Sequence, residues 1–404
     1  MPSTVQVPYH RPSIGDEEIN EVVRTLKSGW LTTGPRTAQF EQEFSAYTDV
    51  PHALAVNSCT SGLHLALAAL NIGPGMEVIT TPLTFCATVN TIIQTGATPV
   101  LADVGSDGNI DPGSIASRIT DKTRAIVPVH FAGVPCDMEA IWFLARRHGL
   151  DVVEDCAHAA GALYKGRHAG AGHPLTGEHS AASVFSFYAV KNLTTGEGGM
   201  VLTDDEELAS RMKILSLHGI SKNAWNRYSD RGHWSYEVLE SGYKYNMSDI
   251  QASIGIHQLR KLEGFVEARA RFAELYNELL SDVEEVELPA GKADCRHAWH
   301  LYTLRLNLDR LEIARDEFIE QLKGRGVGTS VHFIPIPLHP FFASRAKLRE
   351  NRCPRALELY PRLISLPLFP AMTEDQVEYV ANAVRQIARK SRKKNWAVMA
   401  VAGD

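Results

Sequence analysis

The chain has no long apolar run, no paired cysteines and no large excess of charge, and each absence removes a class of protein. Its six cysteines (Cys59, Cys86, Cys136, Cys156, Cys295 and Cys353) are scattered, with no CxxC pair and no metal-like grouping with histidine. Neither a disulfide framework nor a metal site is expected, and reduced thiols in a cytosolic protein are the simplest reading. No stretch approaches bilayer-spanning length, and the opening residues, MPSTVQVPYHRPSIGDEE, have neither the basic start nor the apolar core of a signal peptide. A cytoplasmic location without membrane attachment follows as an expectation. A formal net charge of -6 gives no long-range pull toward nucleic acid. The basic cluster Arg389, Lys390, Arg392, Lys393 and Lys394 ends a helical pattern, where cations are favourable, and reads as a solvated helix end. Neither GxGxxG nor GxxxxGK[ST] occurs, and there is no internal repeat or low-complexity tract.

What is present is a chain of 404 residues, 44% hydrophobic, longer than one core usually serves. One large and one smaller domain are expected. From about residue 53, short β-rich runs alternate with segments of helical period, the signature of a parallel sheet built from βαβ units. Strands are expected at 78–80, 97–104, 125–131, 151–155, 183–187 and 200–203. Helices are expected in CTSGLHLALAAL, FCATVNTIIQTG and MEAIWFLARRHG. After the polar, aperiodic segment 220–240, read as a long surface loop of the kind that often covers a site, come a helix at about 248–281, a strand in AWHLYTLRLN, a helix in RDEFIEQLKGRG and a strand in VGTSVHF. The division is drawn at residues 1–30 for an N-terminal amphipathic segment packing with the small domain, 31–260 for the large domain and 261–404 for the small one.

The chemistry concentrates in FSFYAVKNLTTGEGG. Lys191 sits there after an apolar run and before a glycine turn whose small residues let a flat ring approach, so its amine can hold a cofactor aldehyde as a Schiff base. Taken alone it reads more readily as a solvated surface lysine beside a loop. In NSCTSGLHLALAAL, Ser58, Thr60, Ser61 and Gly62 open a helix, which makes an anion site for phosphate or merely an N-cap. In VVEDCAHAAGA, Asp155 ends a buried strand where a carboxylate can pair with a protonated pyridine nitrogen, and His158 follows three residues later. Phe85, in TPLTFCATVN, can stack on a flat ring or belong to the core.

These runs, in this order, resemble the pyridoxal-phosphate sugar aminotransferases of the DegT/DnrJ/EryC1/StrS group, together with SGWLTTGP, IVPVHFAG, GYKYNMSDIQAS and SLPLFPAMTEDQV. GYKYN, HAWHLY and VHF make the branch that synthesises UDP-4-amino-4-deoxy-L-arabinose the nearest in resemblance. The resemblance implies an α/β, aspartate-aminotransferase-like fold (fold type I), with a mostly parallel seven-stranded sheet in the large domain and a smaller C-terminal α/β domain. It implies pyridoxal 5'-phosphate held by Lys191, with Asp155 on the pyridine nitrogen, His158 at the ring face or phenolic oxygen, Phe85 stacking, and Thr60, Ser61 and Ser186 on the phosphate. Asn246 would reach the phosphate of the neighbouring subunit, hence a homodimer with shared sites, and His332 and Lys244 would meet substrate. The implied reaction moves an amino group from L-glutamate to a nucleotide-linked keto-sugar, most simply a UDP-4-keto-sugar. A sugar dehydratase of the same fold replaces the lysine by histidine, so Lys191 argues against it; a catalytically silent homologue is disfavoured by the intact Lys191, Asp155 and His158. An amino-acid-only aminotransferase needs a second carboxylate site, and no arginine announces itself there. The stretch HAGAGHPLTGEHSAAS is longer than the resemblance leads one to expect.

Overall fold

The structure is a computed structural model that describes residues 6–173, 175–221, 236–345, 348 and 352–394. Most of the loop expected at 220–240, and the C-terminal tail 395–404, lie outside the described residues.

The strands of the main sheet are β1 (His52–Val56), β2 (Glu77–Thr80), β3 (Thr98–Leu101), β4 (Thr123–Val127), β5 (Asp151–Asp155), β8 (Ala182–Ser186) and β9 (Gly199–Thr203), with the two-residue strands β6 (Leu163–Tyr164) and β7 (Arg167–His168) between β5 and β8. Their order is β1-β9-β8-β5-β4-β2-β3. From β8 to β3 the neighbours run parallel, joined by helices such as Cys86–Gln94 and Met138–His148. This is the mostly parallel seven-stranded sheet the sequence suggests. Two details differ. The MVLT run, counted among the parallel units, pairs antiparallel with β8, because the 187–198 turn contains no helix to carry a crossover. The edge strand β1, which no alternating run announced, closes the sheet antiparallel to β9.

Both faces of the sheet are covered. On one, Leu63, Leu65, Leu67, Met212 and Leu215 pack over Val153, Val184 and Val201; on the other, Phe40, Phe44, Ile256 and Leu262 pack over Phe185, Phe187 and Met200. The 32-residue helix Asp249–Leu280, opened by a Ser248 capping box, runs from this second layer into a separate core. There, Phe272 and Tyr276 meet an antiparallel sheet of β10 (Val286–Glu287), β12 (Tyr302–Leu306) and β13 (Leu363–Leu366), covered by helices Arg315–Lys323 and Glu374–Lys390. The remaining strand, β11 (Cys295–Arg296), joins β6 and β7 in a small antiparallel sheet. VGTSVHF, expected as a strand, makes only single bridges, Val327 to Val7 and Ser330 to Ser365.

The N-terminal helix Asp16–Ser28 reverses the usual arrangement of an amphipathic helix. Its buried residues are Glu18, Glu21 and Thr25. Glu18 receives Lys261 Nζ at 2.9 Å and Gln258 Nε2 at 2.8 Å from the long helix, while Ile19, Val23 and Leu26 face outward, followed by exposed Trp30 and Leu31. Among the described residues all six cysteines are free, and no helix is long and apolar enough to cross a membrane.

Candidate active site

In a parallel sheet the strand carboxyl ends share one edge, and binding sites form beyond it. Here the ends of β5 and β8 and the segment after β4 deliver Asp155, Ser186 and Val129 to a cavity of about 450 Å³. The helix Cys59–Ala69 points its N-terminus at the same place. Gly62 lets it press on the sheet, since a Cβ there would stand 2.6 Å from Val184 Cγ1. Gly199 is required for a similar reason: a Cβ would meet the Cys59 nitrogen at 2.7 Å.

Asp155 is 4% exposed. Thr88 Oγ1 donates to its Oδ2 at 2.8 Å and the Ala157 N–H to its Oδ1 at 3.1 Å. Burial raises its pKa, opposed by the Thr88 hydroxyl, the Ala157 amide and the charges of Lys191 and His130. Lys191 lines the cavity at the turn after β8, its N–H bonded to the Tyr188 carbonyl at 2.9 Å. Burial lowers its pKa from 10.5 to about 8, against the pull of Cys59 and Asp155. A lysine so placed has an accessible neutral form near physiological pH, which a nucleophile or base requires.

His158 is buried and neutral, pushed well below its ordinary value first by desolvation and then by the charge of Lys191. Its ring lies 4.3 Å from that of His300 and stacks on Phe333 at 5.7 Å. Among the described residues, the buried Nδ1 atoms of His158 and His300 have no hydrogen-bond partner. His332 donates to or accepts from Ser365 Oγ at 2.8 Å through Nδ1 and is lowered to about 4, chiefly by burial. Phe85, N-cap of the helix Cys86–Gln94, is 61% exposed at the cavity wall, 6.3 Å from Phe333.

Thus Thr60, Phe85, Asp155, His158, Ser186, Lys191 and His332 line one cavity. Ser61 does not: its N–H bonds Ser58 Oγ at 3.1 Å and its hydroxyl donates to Asn57 Oδ1 at 2.6 Å, closing the helix cap. Asn246 lies in a second cavity of about 760 Å³, with Trp30, Thr33 and Lys213, where it donates to Thr33 Oγ1 at 2.6 Å and receives Lys244 Nζ. The long stretch before β8 stays away from the Lys191 cavity, with Ser180 and His173 packed on Trp142. Thr88, His300 and Phe333 were missed as site residues, although all three fall inside runs that the family resemblance singles out.

A depressed lysine and a buried carboxylate beside a helix N-terminus, at the carboxyl edge of a mostly parallel sheet, define the fold type I class of pyridoxal-phosphate enzyme. The chain belongs to the DegT/DnrJ/EryC1/StrS aminotransferase family, whose profile it matches over residues 12–385. It is 50% identical over 385 residues to SpsC, a spore coat polysaccharide biosynthesis protein of Bacillus subtilis, covering 95% of this chain and 97% of SpsC. Among solved structures, Spr1654 from Streptococcus pneumoniae in its PMP form superposes with a TM-score of 0.87 at 33% identity, over 95% of this chain and 100% of that one. Helicobacter pylori PseC, an aminotransferase involved in pseudoaminic acid biosynthesis, gives a TM-score of 0.87 at 31% identity, over 96% and 100%. The protein is accordingly a pyridoxal-phosphate-dependent aminotransferase with the aspartate-aminotransferase-like fold.

Proposed function

We propose that the protein transfers the amino group of L-glutamate to the keto carbon of a nucleotide-linked sugar, a UDP-4-keto-sugar, giving a UDP-4-amino-sugar and 2-oxoglutarate. The observation that carries this reading is Lys191 held near neutral basicity in one cavity with buried Asp155. The residues suit pyridoxal phosphate: the cavity is of ligand size, its helix N-terminus offers Thr60 and a dipole for a phosphate, and the unpartnered Nδ1 atoms of His158 and His300 await a polar group. Bound there, the cofactor supplies an electron-deficient ring that takes up the electron pair released at the substrate carbon.

The chain's own groups do the rest. Asp155, whose charge burial disfavours and the Thr88 hydroxyl and Ala157 amide favour, would face the pyridine nitrogen and keep a proton on it. Neutral His158 would meet the ring or its phenolic oxygen, Phe85 would stack on the ring, and Ser186 and Thr60 would hold the phosphate, with Ser61 shaping the turn. Lys191 Nζ would hold the cofactor aldehyde and, once displaced by the donor's amino group, would as a neutral amine take the donor's α-proton in the first half-reaction and return a proton to the sugar carbon that receives nitrogen in the second. His332, neutral at pH 7, meets the sugar.

The site is completed by a second copy. The outward face of Ile19, Val23, Leu26, Trp30 and Leu31 is a contiguous apolar surface of the kind that marks an interface. It runs toward Thr33 and Asn246, so a homodimer brings Asn246 to the neighbouring phosphate and Lys244 to the neighbouring substrate. The runs GYKYN, HAWHLY and VHF favour the amino-arabinose branch for the sugar, and the likeness to SpsC favours a surface-polysaccharide pathway.

The test is a visible spectrum of the holoenzyme beside a Lys191→Ala control. A Lys191-dependent band that bleaches with L-glutamate and returns with a UDP-4-keto-sugar is expected. Bleaching by L-glutamate without recovery on any UDP-sugar refutes the acceptor, and a band independent of Lys191 refutes the site.

A further inference from the structure

The turn that carries Lys191 is braced mostly by itself. The Thr194 hydroxyl donates to the Phe187 carbonyl at 3.1 Å and accepts the Gly196 N–H at 2.9 Å, and Thr195 Oγ1 donates to the Glu197 carbonyl at 2.6 Å. None of these bonds relates the lysine to the other walls of the cavity. Asn192 does. Its side chain is 4% exposed, and its Nδ2 donates both to the Ala298 carbonyl at 2.7 Å and to the Ala160 carbonyl at 3.3 Å. Ala160 lies two residues after His158, and Ala298 two residues before His300. The Ala298 segment is itself tied to the end of the β4 connection, with the Ala298 N–H on the Gly133 carbonyl at 2.9 Å and Leu301 N–H on the Ala132 carbonyl at 3.2 Å.

One amide group therefore sits where three segments meet, each carrying a cavity residue. The chemistry of the junction selects asparagine. Two carbonyl oxygens converge on one point, which demands two N–H donors from one atom, and a carboxamide nitrogen supplies both. The cost is on the other side: Asn192 Oδ1 is buried with no partner among the described residues, a group whose desolvation is unfavourable and which persists because the donor end is needed.

Resting on the reading of Lys191 as the reacting amine, we infer that Asn192 is a positioning residue for the transamination: its Nδ2 fixes the Lys191 turn against the His158 and His300 segments, setting where Lys191 Nζ stands over the reacting carbon. It touches no substrate and acts through the backbone on either side of the cavity.

Asn192→Asp keeps the volume but replaces two donors by an acceptor facing two carbonyls. Asn192→Ala removes the clamp. Asn192→Ser keeps one donor on a shorter side chain. With cofactor saturating and the folded fraction checked by circular dichroism, kcat should fall about tenfold to hundredfold in Asp and Ala, the scale expected of sub-ångström to 1 Å misplacement, while KM for the sugar moves less than threefold. Ser should fall between. Wild-type kcat in folded Asp or Ser variants overturns the inference, as does a loss confined to KM or to cofactor affinity; should Asp and Ala not fold, the Ser variant alone decides. Lys191→Ala, run beside them, separates this failure from that of the underlying reading: a variant that still turns over without Lys191 refutes the lysine assignment itself.

Discussion

Replacing Lys191 by methionine should make the cofactor-free protein more stable, and by an amount that depends on pH in a stated way. Burial lowers the lysine from 10.5 to about 8. Between those values the unfolded chain binds a proton that the folded chain does not, so folding is penalised at low pH and the penalty fades as pH rises through that window. The full gap corresponds to about 3 kcal/mol at pH 7, about 2 kcal/mol at pH 9 and less than about 0.5 kcal/mol at pH 10.5. Methionine keeps the length of the stem and removes the ammonium group, so packing changes little. The assay is urea unfolding of both proteins, stripped of cofactor so that ligand binding adds nothing, at pH 7, 8, 9 and 10. Taking the difference at each pH cancels the titration of groups the two proteins share. A variant advantage that is flat across this range, or that grows with pH, refutes the claim that Lys191 is desolvated and pre-set toward its neutral form.

Three other outcomes follow from the same geometry. Thr88→Val deletes the O–H donor at Asp155 Oδ2 and should weaken pyridoxal phosphate tenfold or more, since hydrogen bonds to charged groups contribute about 1.5–3 kcal/mol; an unchanged dissociation constant contradicts the role given to Asp155. Asp249→Ala strips the acceptor from the N–H groups of Gly34, Arg36 and Thr37 and from the Thr37 hydroxyl, and should cost about 3 kcal/mol or more in a urea titration, against a loss under 1 kcal/mol if those donors find water instead. Ile19→Glu combined with Leu26→Glu should convert the protein to a monomer in sedimentation velocity, and an unaltered mass shows that the outward face of the N-terminal helix is not the interface.

The parts of the molecule that could be read from the chain are those whose signal is local. Six of the seven main strands overlap runs of β-branched and apolar residues that are mostly buried, and such runs announce themselves. The order of the runs carrying Thr60, Phe85, Asp155, His158 and Lys191 made the cavity legible before any geometry. What escaped depends on partners far along the chain. β9 reads like its parallel neighbours because strand direction is set by the connection, not by composition. VGTSVHF has strand composition but meets only one residue at a time on either side. Ser61 looks like a phosphate ligand until its hydroxyl is seen bonded to Asn57, and Thr88 looks like a helix residue until Asp155 is seen beside it. The N-terminal helix has the right amphipathic pattern, but which side is buried follows from Lys261 and Gln258 on a helix some 240 residues later.

The edge strand β1 has a consequence for synthesis. Among the described residues it pairs as a strand with β9, with His52 opposite Thr203 and Val56 opposite Gly199. At translation rates of about 5–20 residues per second, the roughly 150 residues between them take on the order of 8–30 seconds to emerge. Throughout that interval the apolar segment HALAV has open N–H and C=O groups and no sheet to join, the condition under which nascent strands pair with the wrong chain. The antiparallel return at β9 is therefore also the step that ends the exposure of this edge strand during synthesis.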